Sequence, residues 1–145
     1  MAITVKKIIL WRAKVDNRPG ALATTLEPLA QAGADFKVVM GYRHPVAEGK
    51  AAIEVFPVLG KKAAAAAAVS GLGAAEIPAL LVEGDDKPGL SYRIAQAIAA
   101  AGINIAFFVA HVIGRRFAAV IGFETEDDAG KAIPAIASAG KGARA

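Results

Sequence analysis

The chain has 145 residues, enough for one ordinary domain or two small ones. It contains no cysteine, which excludes disulfides and thiolate metal sites and is typical of a reducing, cytosolic setting. The formal net charge of +4 comes from lysines scattered through the first half rather than from a basic block, and richness in alanine explains the hydrophobic fraction of 55%.

The first half of the chain predicts the order strand, helix, strand, strand, helix. Dense Ile and Val with little helical spacing predict a strand over residues 3–14. A leucine stripe at helical spacing starts at Leu22, and Pro19 suits the first helical turn because its missing N–H is not needed there. Gly33 is expected to end this helix as a left-handed cap. The other predicted elements of this half are strands over 34–43 and 50–58 and an alanine-rich helix over 60–70.

The second half repeats this order after a short connecting segment. Residues 75–83 are too few for two strands and a linker, so we expect them to be both the last strand of the first half and the first strand of the second. Such sharing predicts one continuous, mostly antiparallel sheet with four helices on one side. Because the chain ends in Gly140-Lys141-Gly142-Ala143, the final strand of the second half is expected to be degenerate or missing. The other predicted elements are helices over 88–101 and 126–138 and strands over 103–113 and 116–123.

The two halves are an internal repeat. Asp16-Asn17-Arg18-Pro19-Gly20 reappears as Asp85-Asp86-Lys87-Pro88-Gly89, at an offset of 69 residues that also relates Asp35 to Asn104. Residues 53–56 match residues 120–123 at an offset of 67, so the first copy is expected to have two extra residues in the intervening loop. The predicted domains are residues 1–73 and 74–145.

A membrane location is disfavoured by the same repeat. Residues 94–114 form an uncharged run of 21 residues, long enough for a membrane-spanning helix. The equivalent stretch of the first copy, however, contains Glu27, Asp35, Lys37 and Arg43, so a span is not expected. The short apolar run near the N-terminus is interrupted by Arg12 and is too short for a signal peptide. A cytoplasmic protein is expected.

The repeated unit resembles the ACT family over about residues 3–138. The resemblance lies in Asp-x-(Arg/Lys)-Pro-Gly opening the first helix, in the Ala-Gly-Ile-Asn-Ile of residues 101–105, and in the strand–helix–strand–strand–helix–strand order. It implies an α+β fold of two ferredoxin-like modules that share an antiparallel sheet with helices on one face. It also implies a stand-alone tandem protein that binds a free amino acid and passes the bound state to a regulated enzyme or other partner.

The turn that opens the first helix of each copy is the candidate ligand site. Free backbone N–H groups and a partial positive charge at a helix start favour a carboxylate, and the glycines of the two turns allow close approach. The resemblance implies that Asn17 faces Asn104 of a neighbouring copy, and that Asp86 faces Asp35. Because two carboxylates repel a ligand carboxylate, we predict one strong site per chain and an Asp pair that is empty or holds a cation. The predicted ligand-binding residues are Asn17, Arg18, Pro19, Gly20, Ala21, Leu22, Asp35, Asp86, Lys87, Pro88, Gly89, Leu90 and Asn104.

Other classes of function are less well supported by the sequence. The two histidines, His44 and His111, lie in different contexts and no nucleophile motif is present, so no catalytic residue, metal site or cofactor is expected. An RNA-binding module of the same fold class remains an alternative because the sequence pI is about 9.5. Most aromatics of the second copy, however, lack the interleaved basic residues of such modules. A structural assembly module without a ligand is a third possibility.

The strand predicted over residues 103–113 is apolar on both faces. The residues expected on one face are Ile103, Ile105, Phe107 and Val109, and those expected on the other are Ala106, Phe108, Ala110 and Val112. Helices cover only one face of such a sheet, and monomers rarely expose large apolar patches. The sequence therefore predicts a homodimer.

Overall fold

The computed structural model describes residues 3–141, which form an α+β fold with two four-stranded antiparallel sheets and four helices. This confirms the predicted fold class and the ferredoxin-like order of each copy. The elements are β1 (Thr4–Ile8), β2 (Trp11–Asp16), α1 (Ala21–Gln31), β3 (Val38–Arg43), β4 (Lys50–Phe56), α2 (Gly60–Val69), β5 (Gly73–Ala74), β6 (Ala79–Asp85), α3 (Leu90–Ala100), β7 (Ile105–Ile113), β8 (Arg116–Phe123) and α4 (Glu126–Lys141).

The chain divides into two compact units, which we call the inner and outer modules. The inner module is the continuous segment Ile9–Glu76, and the outer module consists of residues 3–8 together with residues 77–141. The predicted domains, by contrast, had a single boundary after residue 73. The expectation of one shared sheet was wrong, because β5 and β6 belong to different sheets. Residues 75–78 separate them, and Pro78 has no N–H to donate to a strand ladder.

The inner module is a βαββαβ unit with the sheet order β3-β4-β2-β5. Helix α1 ends as predicted at a left-handed glycine: Gly33 has a φ of 80°, and the N–H of Ala34 donates to the carbonyl of Leu29 at 3.0 Å. The core lies between the helices and one face of the sheet. Its buried residues are Ala13, Leu29, Ile53, Val55, Ala67 and Leu72.

The outer module is completed by the first strand of the chain. Strand β1 pairs with β6, from Thr4 opposite Glu83 to Ile8 opposite Ala79, in a sheet of order β1-β6-β8-β7. In the outer module, β1 occupies the position of the final strand of a βαββαβ unit. The outer module contains the second copy of the repeat, whose own last strand was expected to be degenerate or missing. That expectation concerned the chain after α4, where residues 142–145 lie outside the described part.

A bulge in β7 changes the predicted faces of that strand. The pairing shifts between Ile105 and Phe107. Ile103 and Ile105 therefore pack with the helix-side core, together with Phe108, whereas Phe107 lies against Gly122 on the opposite face. The uncharged residues 94–114 do not form a single helix, because α3 ends at Ala100 and β7 begins at Ile105. Within residues 3–141, no helix is long and apolar enough to cross a membrane.

Backbone pairing also corrects the alignment of the two copies by one residue. Val55 lies opposite Trp11, and Ile121 lies opposite Leu80. Since Trp11 and Leu80 are related by the offset of 69, Val55 corresponds to Ile121, and the offset is 66 rather than the predicted 67. A slip of one residue exchanges the two faces of a strand, so this correction decides which side chains occupy equivalent positions. The extra residues of the inner module lie in the loop between β3 and β4.

Candidate functional site

Both Pro-Gly motifs form the same tight turn before a helix. In residues 18–21, Gly20 has φ 85° and ψ −4°, and the N–H of Ala21 donates to the carbonyl of Arg18 at 3.2 Å. These are the features of a type II turn, which favours proline at its second position and glycine, with its positive φ, at its third. Helix α1 begins at Ala21, so Pro19 lies in the turn rather than in the first helical turn as predicted. Gly89 repeats the geometry before α3, with φ 81°.

Each turn is fixed to the neighbouring hairpin in the same way. In the inner module the N–H of Asn17 donates to the carbonyl of Gly49 at 2.9 Å, and Lys50 forms an ion pair with Asp16. The hydrogen bond and the charge of Lys50 lower the pKa of Asp16. The outer module has the equivalent contacts: Asp86 N–H to the carbonyl of Arg115, and Arg116 with Asp85. The motif therefore fixes the strand, turn and hairpin together in both copies.

A cleft of about 500 Å³ opens beside the turn of the inner module. The structure brings five of the predicted ligand-binding residues together there, and Pro19 is not among its lining residues. The five are Asn17, Arg18, Gly20, Ala21 and Leu22. The lining residues that the sequence analysis missed are Ala23 in α1, Gly41, Tyr42 and Arg43 in β3, and Ala51, Ala52 and Ile53 in β4.

The floor of the cleft is built from small residues on the helix-side face of the sheet. Gly41 pairs with the core residue Ile53, and Arg43 pairs with Ala51, so these four residues share that face. A Cβ placed on Gly41 would lie 3.8 Å from the methyl groups of Leu22, which forms the opposite wall. Because Gly41 and Ala51 on the sheet and Ala21 at the start of α1 are small, space remains for a ligand between the sheet and the helix.

The start of α1 presents free hydrogen-bond donors to this cleft. Leu22 and Ala23 lie in the first turn, and their N–H groups have no hydrogen-bond partner within residues 3–141. The turn has no acidic residue, and Gly20 supplies no side-chain cap. A helix start of this kind has a partial positive charge and favours an anionic group. The arrangement suits a carboxylate.

A buried carboxylate holds the side chain of one lining residue, Tyr42, on the face of the sheet opposite the cleft. The hydroxyl of Tyr42 donates to Oε2 of Glu54 at 2.6 Å, and Glu54 is only 1% exposed. Burial, and then the hydrogen bond to Glu54, raise the pKa of Tyr42 above its ordinary value of 10.0. The other oxygen of Glu54 has no partner among the described residues. An acidic residue in the otherwise apolar strand of residues 51–56 was the signal in the sequence for this contact.

In the outer module the equivalent space is occupied by side chains. By the corrected alignment, Phe117 stands at the position of Ala51, and Leu90 stands at the position of Ala21. Both Phe117 and Leu90 are 3% exposed and belong to the core of the outer module. Nη1 of Arg93 also donates to the carbonyl of Pro88 at 3.1 Å, which places the guanidinium beside the turn. The outer module thus retains the turn but fills the place of the cleft.

Most of the remaining predicted residues are exposed and lie near the ends of elements, whereas Lys87 is half-buried in the turn before α3. Asp35 precedes β3 in the inner module, and Asn104 and Asp86 lie in the outer module. The predicted pairs, Asn17 with Asn104 and Asp35 with Asp86, join residues of different modules and stay predictions. Within residues 3–141, no group of three or more His, Asp or Glu side chains is placed to hold a metal ion.

Comparisons with known proteins place one part of the chain in a family. Residues 79–140 match the family model of the ACT domain, so the outer module contains one ACT domain. The matched residues run from β6 into α4 and do not include the inner module. No curated protein sequence matches the chain at a significant level.

Solved structures share the fold of the whole chain at low sequence identity. Protein BT0572 from Bacteroides thetaiotaomicron has a TM-score of 0.72 at 14% identity, over 91% of this chain and 88% of that one. The ligand-free regulatory subunit of aspartate kinase from Thermus thermophilus has a TM-score of 0.63 at 18% identity, over 96% and 97% of the two chains. The structure of aspartokinase alpha and beta subunits gives 0.65 at 15% identity, over 96% and 97%. The fold is that of these proteins.

Proposed function

We propose that the protein is a regulatory module that binds a free amino acid in the cleft of the inner module and transmits the bound state to an enzyme or another regulator. The observation that carries the proposal is the cleft itself, in which the free N–H groups of Leu22 and Ala23 lie beside Asn17. The ACT domain of the outer module supports it, as do structural neighbours described as regulatory subunits of aspartate kinase. In this proposal the protein is cytoplasmic and has no catalytic role.

The parts of an amino acid correspond to separate groups in the cleft. Its α-carboxylate accepts hydrogen bonds from the N–H groups at the start of α1, where the partial positive charge of the helix stabilises it. The amide of Asn17 offers both a donor and an acceptor, so its oxygen can accept from the α-ammonium group. Leu22 and Ile53 provide apolar contact for the ligand's carbon chain. We therefore assign Asn17 the role of main polar contact.

The proposal includes a homodimer. Strand β7 is at the edge of the outer sheet, and it exposes Val109 and Val112 by 46% each and Ile113 by 73%. Exposed apolar side chains along an unpaired strand edge favour association with another chain. A second copy of the chain is the simplest partner for that edge.

A thermal-shift screen of the twenty amino acids and the common nucleotides tests the proposed function. A ligand present at 100 times its dissociation constant adds about 2.7 kcal/mol to the free energy of unfolding, so one amino acid should raise the melting temperature by several degrees. Asn17→Ala should remove the shift, whereas Asp86→Ala, at the equivalent position of the outer module, should keep it. A shift with nucleotides and with no amino acid would contradict the proposal and favour RNA binding.

A further inference from the structure

The cleft of the inner module carries two positive side chains from different elements. Arg18 lies in the turn before α1, and Arg43 is the last residue of β3. Side chains alternate between the faces of a strand, and Arg43 shares the helix-side face with its partner Ala51 and with Gly41. Its guanidinium therefore projects from the sheet on the side where Leu22 and α1 lie. Within residues 3–141, neither arginine forms an ion pair.

No carboxylate among the lining residues balances these charges. Asp16 is paired with Lys50, and the charge of Arg18 also contributes to lowering the pKa of Asp16, so Asp16 partly balances Arg18 but not Arg43. Glu54 is buried and accepts a hydrogen bond from Tyr42, and it is not part of the lining. The cleft thus combines two guanidinium groups with the free N–H groups at the start of α1. Its only groups for a ligand's ammonium are neutral acceptors.

The positive charge of the cleft exceeds what the single carboxylate of a neutral amino acid can neutralise. One carboxylate occupies the N–H groups of Leu22 and Ala23, which leaves the guanidinium group of Arg43 without an anionic partner among the described residues. Arginine binds carboxylates through two parallel hydrogen bonds, and such charge-assisted bonds are about twice as strong as neutral ones. A ligand with a second carboxylate can use Arg43 in this way. A basic side chain would instead meet two like charges.

We propose that the ligand of this cleft is a small dicarboxylate of the size of aspartate or glutamate, with one carboxylate at the start of α1 and the other on Arg43. This proposal rests on the proposed function, since it specifies the ligand class of the same site. The volume of about 500 Å³ accommodates such a molecule together with water. Arg43 is then the residue that determines specificity, and Arg18 adds to the positive field at the turn.

Calorimetric titrations at low ionic strength with aspartate, glutamate, succinate, threonine and lysine test this assignment. Aspartate or glutamate should bind at least about tenfold more tightly than threonine, and lysine should bind most weakly, because each good charge-assisted contact is worth about that factor. Arg43→Gln should weaken the binding of the dicarboxylates by about tenfold and leave the binding of threonine nearly unchanged. Lys61→Gln, at an exposed position of α2 outside the lining of the cleft, removes the same charge as a control and should change nothing.

The outcomes separate this proposal from the proposed function. Succinate that binds as well as aspartate identifies a plain dicarboxylate, and weaker succinate binding identifies an acidic amino acid. Both results support the ligand class. Threonine or another neutral amino acid that binds more tightly than the dicarboxylates, and that depends on Asn17, would overturn the class while the proposed function stands. Dicarboxylate binding that Arg43→Gln leaves unaltered would also overturn it. No binding by any compound would contradict both.

Discussion

At the scale of residues, a few substitutions between the two copies decide where a ligand can fit. Ala21 and Ala51 leave the inner cleft open, whereas their counterparts Leu90 and Phe117 are buried in the outer core. The sequence contains the difference between Ala21 and Leu90, which the offset of 69 residues relates. It did not show the role of Phe117, because the alignment was wrong by one residue along that strand. Asymmetry between the copies was therefore predicted from charge, while the structure adds a steric reason.

Tyr42 and Glu54 give a prediction about stability. Tyr42→Phe removes the hydroxyl that donates to the 1%-exposed Glu54 and leaves a buried carboxylate oxygen without its donor. An unsatisfied buried polar group costs roughly 1–3 kcal/mol, so the free energy of unfolding should fall by about that amount. Urea denaturation measures it. Tyr92→Phe is the control, because Tyr92 is 69% exposed, and equal stability of the two variants would contradict the assigned role of Tyr42.

At the scale of elements, the helices were predictable, and so was most of the strand order. Caps and helical spacing are local signals, and Gly33 ends α1 where its sequence position indicated. The exchange of β1 into the outer sheet was not predictable in the same way. No glycine or proline separates Ile8 from Trp11, so the pattern indicated one continuous strand over residues 3–14. Which sheet each half of that segment joins depends on pairing with distant residues: Lys6 of β1 pairs with Leu81, 75 positions away, and Ala13 of β2 pairs with Ile53, 40 positions away.

The docking of β1 depends on two glycines that receive Ile3. A Cβ on Gly84 or on Gly140 would come within 2.6 Å of Ile3 side-chain atoms, so Ile3 cannot move away from one glycine without approaching the other. Gly140→Ala should therefore destabilise the protein by about 1–3 kcal/mol through overpacking. The expected result is a lower urea midpoint than that of the unaltered chain.

Gly130→Ala is the matched control for Gly140→Ala in the same helix. A Cβ on Gly130 meets no atom within 4 Å, so the substitution should stabilise α4 by roughly 0.5–1 kcal/mol through helix propensity. In the Ile3→Ala background, Gly140→Ala should lower the free energy of unfolding by less than it does in the unaltered chain, because the smaller side chain removes the contact. If both single glycine variants were equally stabilising, the docking of Ile3 between the glycines would be disproved.

At the scale of the whole molecule, the repeat predicted two modules of one fold but not their separation into two sheets. Residues 75–83 looked too short to contain a strand end, a linker and a strand start. The structure satisfies this constraint with a β5 of only two residues, Gly73–Ala74, and with β1 in the place of a last strand for the outer module. Each module thus has four strands, and the two copies differ in how the chain builds them.

We propose that each chain has one amino-acid site, located in the cleft of the inner module. Isothermal titration of the intact protein with the best ligand of the thermal-shift screen tests it most directly. We expect a stoichiometry of one ligand per chain, unchanged in Asp86→Ala. We also expect the loss of binding in Ala51→Phe, which introduces the residue that fills the outer module, and in the milder Ala51→Leu. Unfolding curves of both variants should confirm that they fold. Two equivalent sites per chain, or full affinity in folded Ala51→Phe, would contradict the account.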